Sequence, residues 1–204
     1  GDMLSGDREE GDAIAVALLS RLSDLAPVCF VNGNHEMCVE RHQPERYQKF
    51  MDDLKNGGVQ VLHNETAWFW IDGEKVAVTG YELPWEYSRR FSRRHPSVVG
   101  MERSIGKRKQ DAYQILLTHN PVFFEEYAAW GADFTFAGHL HGGFIRLPYF
   151  GGVISPQFQL FPKYDHGLYQ MDTSSMVVGA GMGNHSGLFR INNPTEIVTV
   201  RIKR

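Results

Sequence analysis

The chain has 204 residues, with little cysteine, no long apolar run and no excess of positive charge. Its two cysteines, Cys29 and Cys38, have no Cys-x-x-Cys spacing, so we expect reduced thiols and no disulfide framework. No stretch of eighteen apolar residues and no signal peptide are present, so no membrane span is predicted within these residues. The net charge of −3 gives no general reason to expect nucleic acid as a partner. What remains is a composition typical of one globular domain with a sizeable core.

The chain starts at Gly1 and enters a motif at once. We therefore expect a fragment of a longer protein, so that the lack of an anchor here says nothing about the parent. The expected location is cytoplasmic or membrane-associated, with any anchor lying before Gly1.

Hydrophobic spacing and turn residues predict alternating helices and strands, and therefore an α/β fold. In the first helix, Ile14, Leu18, Leu22 and Leu25 have helical spacing and are predicted to cover a core face. Asp72-Gly73 is a hairpin signal. Helices are predicted at 11–26, 44–56 and 121–130, and strands at 28–31, 59–62, 66–71, 75–79, 113–118, 133–137, 144–147, 167–171, 176–179 and 195–202.

Residues 81–110 are unusually basic, with eight basic residues against three acidic ones. We expect a helical excursion beside the site here. It could contact a polyanionic substrate or lipid headgroups at a membrane surface, or be an ordinary solvated face, which is the default. The basic residues are Arg89, Arg90, Arg93, Arg94, Arg103, Lys107, Arg108 and Lys109.

The sequence Gly138-His139-Leu140-His141-Gly142-Gly143 places two histidines one residue apart. In an extended segment both side chains would lie on the same side of the backbone, as metal ligands often do. Such pairs also occur in ordinary loops, so the motif alone is weak.

Three predicted buried strands run directly into residues that can bind a metal ion. Residues 28–31 precede Asn34 and His35, residues 113–118 precede His119, and residues 133–137 precede the histidine pair. In open α/β sheets, ligands bind beyond the carboxyl ends of the strands. We therefore expect these three segments to converge.

In order and rough spacing, four motifs resemble those of the calcineurin-like metallophosphoesterases. They are Gly1-Asp2, Gly33-Asn34-His35-Glu36, His119-Asn120-Pro121 and Gly138-His139-Leu140-His141. The stretch 161–196 resembles a bacterial, often membrane-anchored branch, of which some members are similar to UDP-diacylglucosamine pyrophosphatases. The resemblance implies one domain over 1–204, a β-sandwich of two mixed sheets flanked by helices, with its first strand missing before Gly1.

The resemblance also implies a site for two divalent ions, of Mn, Fe, Zn or Co. Asp2 would bridge them, Asn34, His119 and His139 would complete the second ion, and His141 would bind the first. The ions would hold a hydroxide and clamp the phosphate for in-line displacement. His35 would not be a ligand, but a general acid or a donor to the phosphoryl oxygens. Asp2 and His35 are thus the predicted catalytic residues.

The family's opening Asp-x-His motif would lie before Gly1. Without it the first ion keeps only Asp2 and His141, so we expect at most one ion, at the second site, and poor or no hydrolysis by this fragment.

The leading interpretation is a metal-dependent hydrolase of a phosphomonoester, phosphodiester or pyrophosphate bond in a small-molecule or lipid-linked substrate. A nuclease is disfavoured by the net charge and the lack of a base-stacking motif. A non-catalytic binding module of the same fold remains open, and the oligomeric state is not indicated.

Glu36 is expected either to orient His35 or to be an ordinary surface carboxylate. The remaining histidines, His42, His63, His95, His166 and His185, are expected to be surface or loop residues.

Overall fold

The computed structural model describes residues 1–5, 9–88, 94–143, 145–147, 151–153, 160–183 and 190–202. In chain order the elements are α1 (Glu10–Ser23), β1 (Cys29–Phe30), α2 (Asn34–His42), α3 (Pro44–Asn56), β2 (Gln60–Val61), β3 (Thr66–Ile71), β4 (Glu74–Tyr81), α4 (Trp85–Ser88), α5 (Val98–Ile105), β5 (Tyr113–Thr118), a 3₁₀ turn (Pro121–Phe123), α6 (Phe124–Trp130), β6 (Phe134–Ala137), β7 (Arg146–Leu147), β8 (Gly151–Gly152), β9 (Gly167–Met171) and β10 (Ser174–Val178).

A six-stranded mixed sheet positions the site. Its order is β3-β4-β5-β6-β10-β9, with the four central strands parallel and an antiparallel strand at each edge. The predicted hairpin between β3 and β4 is confirmed, and both Asp72 and Gly73 have the positive φ that a tight hairpin turn needs. Because the central strands are parallel, β5 and β6 both end at the edge where His119 and His139 follow.

Helices and a small parallel strand pair cover the two faces of this sheet. On one face Met101 of α5 and Tyr127 of α6 pack against Leu116 of β5. On the other, Leu62, directly after β2, packs with Val78 of β4. The predicted α/β class, a mixed sheet flanked by helices, is confirmed. The second sheet is represented among the described residues by the β1–β2 pair.

The predicted inward face of the first helix is wrong. Helix α1 turns Ala15, Val16 and Leu19 towards the core around Leu54 of α3. The predicted stripe is instead exposed, with Ile14, Leu18, Leu22 and Leu25 at 71%, 38%, 42% and 83% exposure. Both faces of α1 carry apolar residues, so periodicity did not identify the face that α3 covers.

The predicted strand at 195–202 is also wrong, because no strand is present over 195–202. The edge position beside β10 belongs to β9. The backbone of Glu196 donates instead to the carbonyl of Gly181, which ties this segment to a loop near the site.

Residues 81–110 contain α4 and α5, with 89–93 outside the described residues. Helix α5 packs against the sheet, since Met101 is fully buried, and the expected position of this stretch beside the site stays a prediction. No helix of the described residues is long and apolar enough to cross a bilayer.

The orientation of α1 gives a matched test. Leu54→Ala should lower the free energy of unfolding by about 2–5 kcal/mol, because the fully buried side chain leaves a cavity. Ile14→Ala, which truncates a side chain of α1 that is 71% exposed, should change it by less than about 0.5 kcal/mol. Urea unfolding of both variants measures this, and an Ile14→Ala loss near that of Leu54→Ala would contradict the orientation.

Candidate metal centre

A buried carboxylate holds the first motif in place. Glu36 lies in the first turn of α2, is fully buried, and accepts four backbone N–H groups. Two belong to Asp2 and Met3, at 2.6 Å each, and the others to Leu4 and Gly33, at 2.8 and 2.7 Å. The interpretation of Glu36 as a surface carboxylate is therefore wrong, since it is fully buried and fixes the backbone that carries Asp2. Its role in orienting His35 stays a prediction.

Gly33 allows the two segments to touch. A Cβ atom at Gly33 would lie 2.6 Å from the backbone nitrogen of Asp2 and would clash with its carboxylate. Without that atom, the carboxylate oxygen Oδ1 of Asp2 accepts the backbone N–H of His35 at 3.0 Å. Gly33 is thus needed for close backbone approach, and α2 starts directly against Asp2.

The sheet brings two histidines to Asp2. His119 follows β5, and its Nε2 lies 2.9 Å from Oδ2 of Asp2. Nδ1 of His139, just beyond β6, lies 3.0 Å from the same Nε2. One ligand atom from each of the three residues falls within 4.8 Å of the other two, which is a spacing that a metal ion could occupy.

The protonation states of this cluster suit a cation. Burial would raise the pKa of Asp2, but the facing His119 and the nearby His35 outweigh it and hold that pKa well below its usual range. Burial, assisted by His119, lowers the pKa of His139 to about 3. At neutral pH Asp2 is therefore anionic and His139 neutral, as metal ligands must be.

The side-chain oxygen of Asn34 is a further candidate ligand atom, on evidence independent of the cluster. Its side-chain oxygen is buried and has no hydrogen-bond partner among the described residues. Buried polar atoms are normally satisfied, so this oxygen calls for an explanation. One carboxylate, one carboxamide and two imidazoles form a donor set that suits Mn, Fe, Zn or Co. The residues present fit the predicted second ion, and their assignment as ligands stays a prediction.

His141 does not join this group. It was expected in an extended segment with His139, and that expectation is wrong. Strand β6 ends at Ala137, and both histidines have left-handed backbones, with φ values of 67° and 50°. Nδ1 of His141 lies 3.5 Å from Nη2 of Arg190. The role of His141 as a ligand of the first ion stays a prediction.

His35 is the second residue of α2, directly after Asn34 and beside Asp2. Together with His119, it helps to hold the pKa of Asp2 below its usual range. Its role as general acid or phosphoryl donor stays a prediction.

Three other histidines pair with glutamates rather than joining the cluster. The partners of His63, His95 and His166 are Glu82, Glu126 and Glu196, at 2.8, 2.7 and 2.8 Å. His63 was expected at the surface, but it is half-buried, and its hydrogen bond to Glu82 raises its pKa. His42 is exposed, as expected, and contacts the carbonyl of Cys38. His185 lies outside the described residues.

Part of the basic stretch is neutralised. Arg108 forms two hydrogen bonds with Asp133, and Arg94 lies 3.7 Å from Glu86. Arg89, Arg90 and Arg93 fall outside the described residues. A function for this stretch stays a prediction.

The chain matches the family model of the calcineurin-like phosphoesterases over residues 1–143. It belongs to this family. The match spans every motif from Asp2 to His141, and the predicted resemblance is confirmed. Family membership supports a metal-dependent phosphoester hydrolase as the general class of activity.

Curated relatives are bacterial. The uncharacterized metallophosphoesterase YkuE of Bacillus subtilis is 29% identical over all of this chain and 66% of its own length. Phosphodiesterase YaeI of Escherichia coli is 24% identical over 91% of this chain and 62% of its own. The UDP-2,3-diacylglucosamine pyrophosphatase LpxG of Chlamydia trachomatis is 25% identical over 72% of this chain and 43% of its own. The chain thus spans less than two thirds of these calcineurin-like phosphoesterases, and no solved structure matches it.

The role of Glu36 can be tested by Glu36→Gln. The new amide would turn an NH₂ group towards N–H donors that the carboxylate accepts, so the free energy of unfolding should fall by about 2–3 kcal/mol. Urea unfolding measures it. The control is Glu40→Gln, an exposed glutamate on the same helix, which should change stability little. Equal effects of the two variants would contradict the proposed anchoring.

Proposed function

We propose that this chain is a metal-dependent hydrolase of a phosphomonoester, phosphodiester or pyrophosphate bond, acting on a phosphorylated small molecule or a lipid-linked substrate. The observation that carries the proposal is the cluster of Asp2, His119 and His139, supported by the buried, unsatisfied side-chain oxygen of Asn34, the residue directly before His35, whose N–H donates to Asp2. The names of two relatives, a phosphodiesterase and a pyrophosphatase, favour a bond to a phosphorus with two substituents over a monoester.

The four residues at the end of the sheet would hold the ion. When bound, it would polarise a phosphoryl oxygen and lower the pKa of water towards ~7. Asp2 would bring the negative charge, and the low pKa of His139 leaves its ring free of a competing proton. Because the cluster is partly buried, little water would compete with the substrate.

His35 would handle the proton of the leaving group. It follows Asn34 at the start of α2, and its backbone N–H donates to the carboxylate of Asp2, so it would lie near the ion without being needed as a ligand. Its ring would donate a hydrogen bond to a phosphoryl oxygen or a proton to the leaving oxygen.

The alternative is a binding module that holds the ion and phosphate without turnover. These 204 residues supply four donors to one ion and only Asp2 and His141 to another, which favours slow hydrolysis. A nuclease is less favoured, because of the net charge of −3 and because Arg108 is paired with Asp133.

Titration with Mn²⁺, followed by electron paramagnetic resonance, tests the metal site. We expect one ion per chain, and Asn34→Ala should weaken binding at least about tenfold because one donor is lost. His42→Ala, which removes an exposed histidine of the same helix, should leave affinity unchanged. Two ions per chain, or unaltered binding by Asn34→Ala, would contradict the proposed ligand set.

Hydrolysis of bis(p-nitrophenyl) phosphate with Mn²⁺ tests the enzyme. We expect slow release of p-nitrophenol that His35→Ala reduces by about 10²-fold or more, with Mn²⁺ affinity retained, since His35 is proposed to move a proton and not to bind the ion. His42→Ala is again the control.

A chain in which a designed strand ending in Asp-x-His precedes Gly1 separates the alternatives. Higher turnover that still depends on His35 supports the hydrolase. Binding of one Mn²⁺ and of phosphate without turnover in either chain would favour the binding module.

A further inference from the structure

The turn that carries His139 is conformationally demanding. This turn covers residues 139–143. Four of these five residues have positive φ, namely His139, His141, Gly142 and Gly143. Glycine adopts this conformation freely, but histidine does so at a cost, so the turn needs contacts that hold it. Backbone bonds in and next to the turn run from the N–H groups of Gly138, Leu140 and Gly143 to the carbonyls of His119, Gly138 and Leu140, respectively.

A distant side chain provides two further bonds. Asn193 is 4% exposed and follows the turn by fifty residues. Its amide nitrogen donates to the carbonyl of His141 at 2.5 Å and to that of Gly143 at 2.7 Å. One NH₂ group thus bridges the carbonyl groups of the two residues on either side of Gly142.

The fit is close at Gly142. A Cβ atom on this residue would lie 2.8 Å from the side-chain oxygen of Asn193, and the backbone φ of +68° favours glycine in any case. The amide therefore lies directly against the glycine, and the turn and the asparagine are complementary in shape as well as in hydrogen bonding.

Asn193 is itself held on both sides. Arg190 donates to the carbonyls of Ala180, at 2.8 Å, and Gly183. Glu196 accepts the N–H of Ala180 at 2.8 Å and pairs with His166. These bonds anchor the segment to the loop after β10, so Asn193 approaches the turn from a fixed support.

We propose that Asn193 is a positioning residue of the metal centre. It clamps the left-handed turn so that the ring of His139 stays 3.0 Å from His119, and the affinity for the ion depends on this clamp. The inference rests on the proposed function, because it assumes that His139 is a ligand. It assigns a role to a residue fifty positions beyond the motif that it supports.

The test compares Asn193→Asp and Asn193→Ala with the unsubstituted chain by Mn²⁺ titration. Asn193→Asp keeps the size but sets an acceptor against two carbonyl oxygens, so it should weaken Mn²⁺ binding by about 10–100-fold, and more than Asn193→Ala does. Hydrogen exchange of the metal-free chains should show faster exchange at Gly143 in both variants.

The matched control is Gln114→Ala. Gln114 is also a fully buried carboxamide, but its NH₂ group donates to Ala77, Thr79 and Ile115 inside the sheet. Well below its melting temperature this variant should keep Mn²⁺ affinity within about twofold, although its metal-free melting temperature falls.

Unchanged Mn²⁺ affinity in the Asn193 variants, or a loss equal to that of Gln114→Ala, would overturn the proposal. If the unsubstituted chain binds no Mn²⁺, the proposed function fails. The exchange rate at Gly143 then still decides whether Asn193 holds the turn: an unchanged rate refutes the clamp, and a faster one retains it without the metal.

Discussion

The site depends on one buried anion, the carboxylate of Glu36. A carboxylate removed from water is costly unless donors replace the lost hydration. Here four backbone N–H groups do so, two on each oxygen. Three of those donors belong to residues 2–4, which form neither helix nor strand. The position of Asp2 against His119 is therefore set by a side chain that binds the backbone of Asp2 and is not itself one of the proposed ligands. Charge-assisted bonds of this kind are short and directional, which suits a device that has to place a ligand precisely.

The sheet supplies the other half of the cluster by a different principle. Parallel neighbours β5 and β6 end at the same edge, so His119 and His139, which follow these strand ends, meet there. Burial alone would drive Asp2 towards its neutral form, yet the histidines reverse that tendency, while His139 is kept neutral. Such an arrangement of partly buried, mutually dependent polar groups contributes little to a core. The presence of these polar groups at the carboxyl ends of the strands is the pattern expected of a functional site.

Features that depend on residues close together in the sequence could be predicted, whereas features that depend on contacts between distant residues could not. The strand ends before Asn34, His119 and His139 could be read from apolar runs followed by polar residues. The inward face of α1 could not, because periodicity defines an apolar stripe without naming the helix that covers it. The strand predicted at 195–202 failed for a related reason, since β propensity needs a neighbouring backbone. Helix α2 was missed because Gly-Asn is also a turn signal; the glutamate three residues after Gly33 was the available clue. Asn193 lies in the stretch 161–196 that resembles the bacterial branch, but nothing in the local sequence indicated its contact with the turn after β6.

The histidine pair shows most clearly how the fold assigns different roles to similar residues. Alternation in a strand would have put both rings on one side of the chain. The left-handed turn separates them instead, so that His139 contacts His119 while His141 lies next to Arg190. Asp2, His119 and His139 already lie close enough to share one ion, whereas the guanidinium of Arg190 beside His141 would repel a cation placed there. The left-handed backbone thus leaves His139 in the cluster with Asp2 and His119, and leaves His141 outside that cluster.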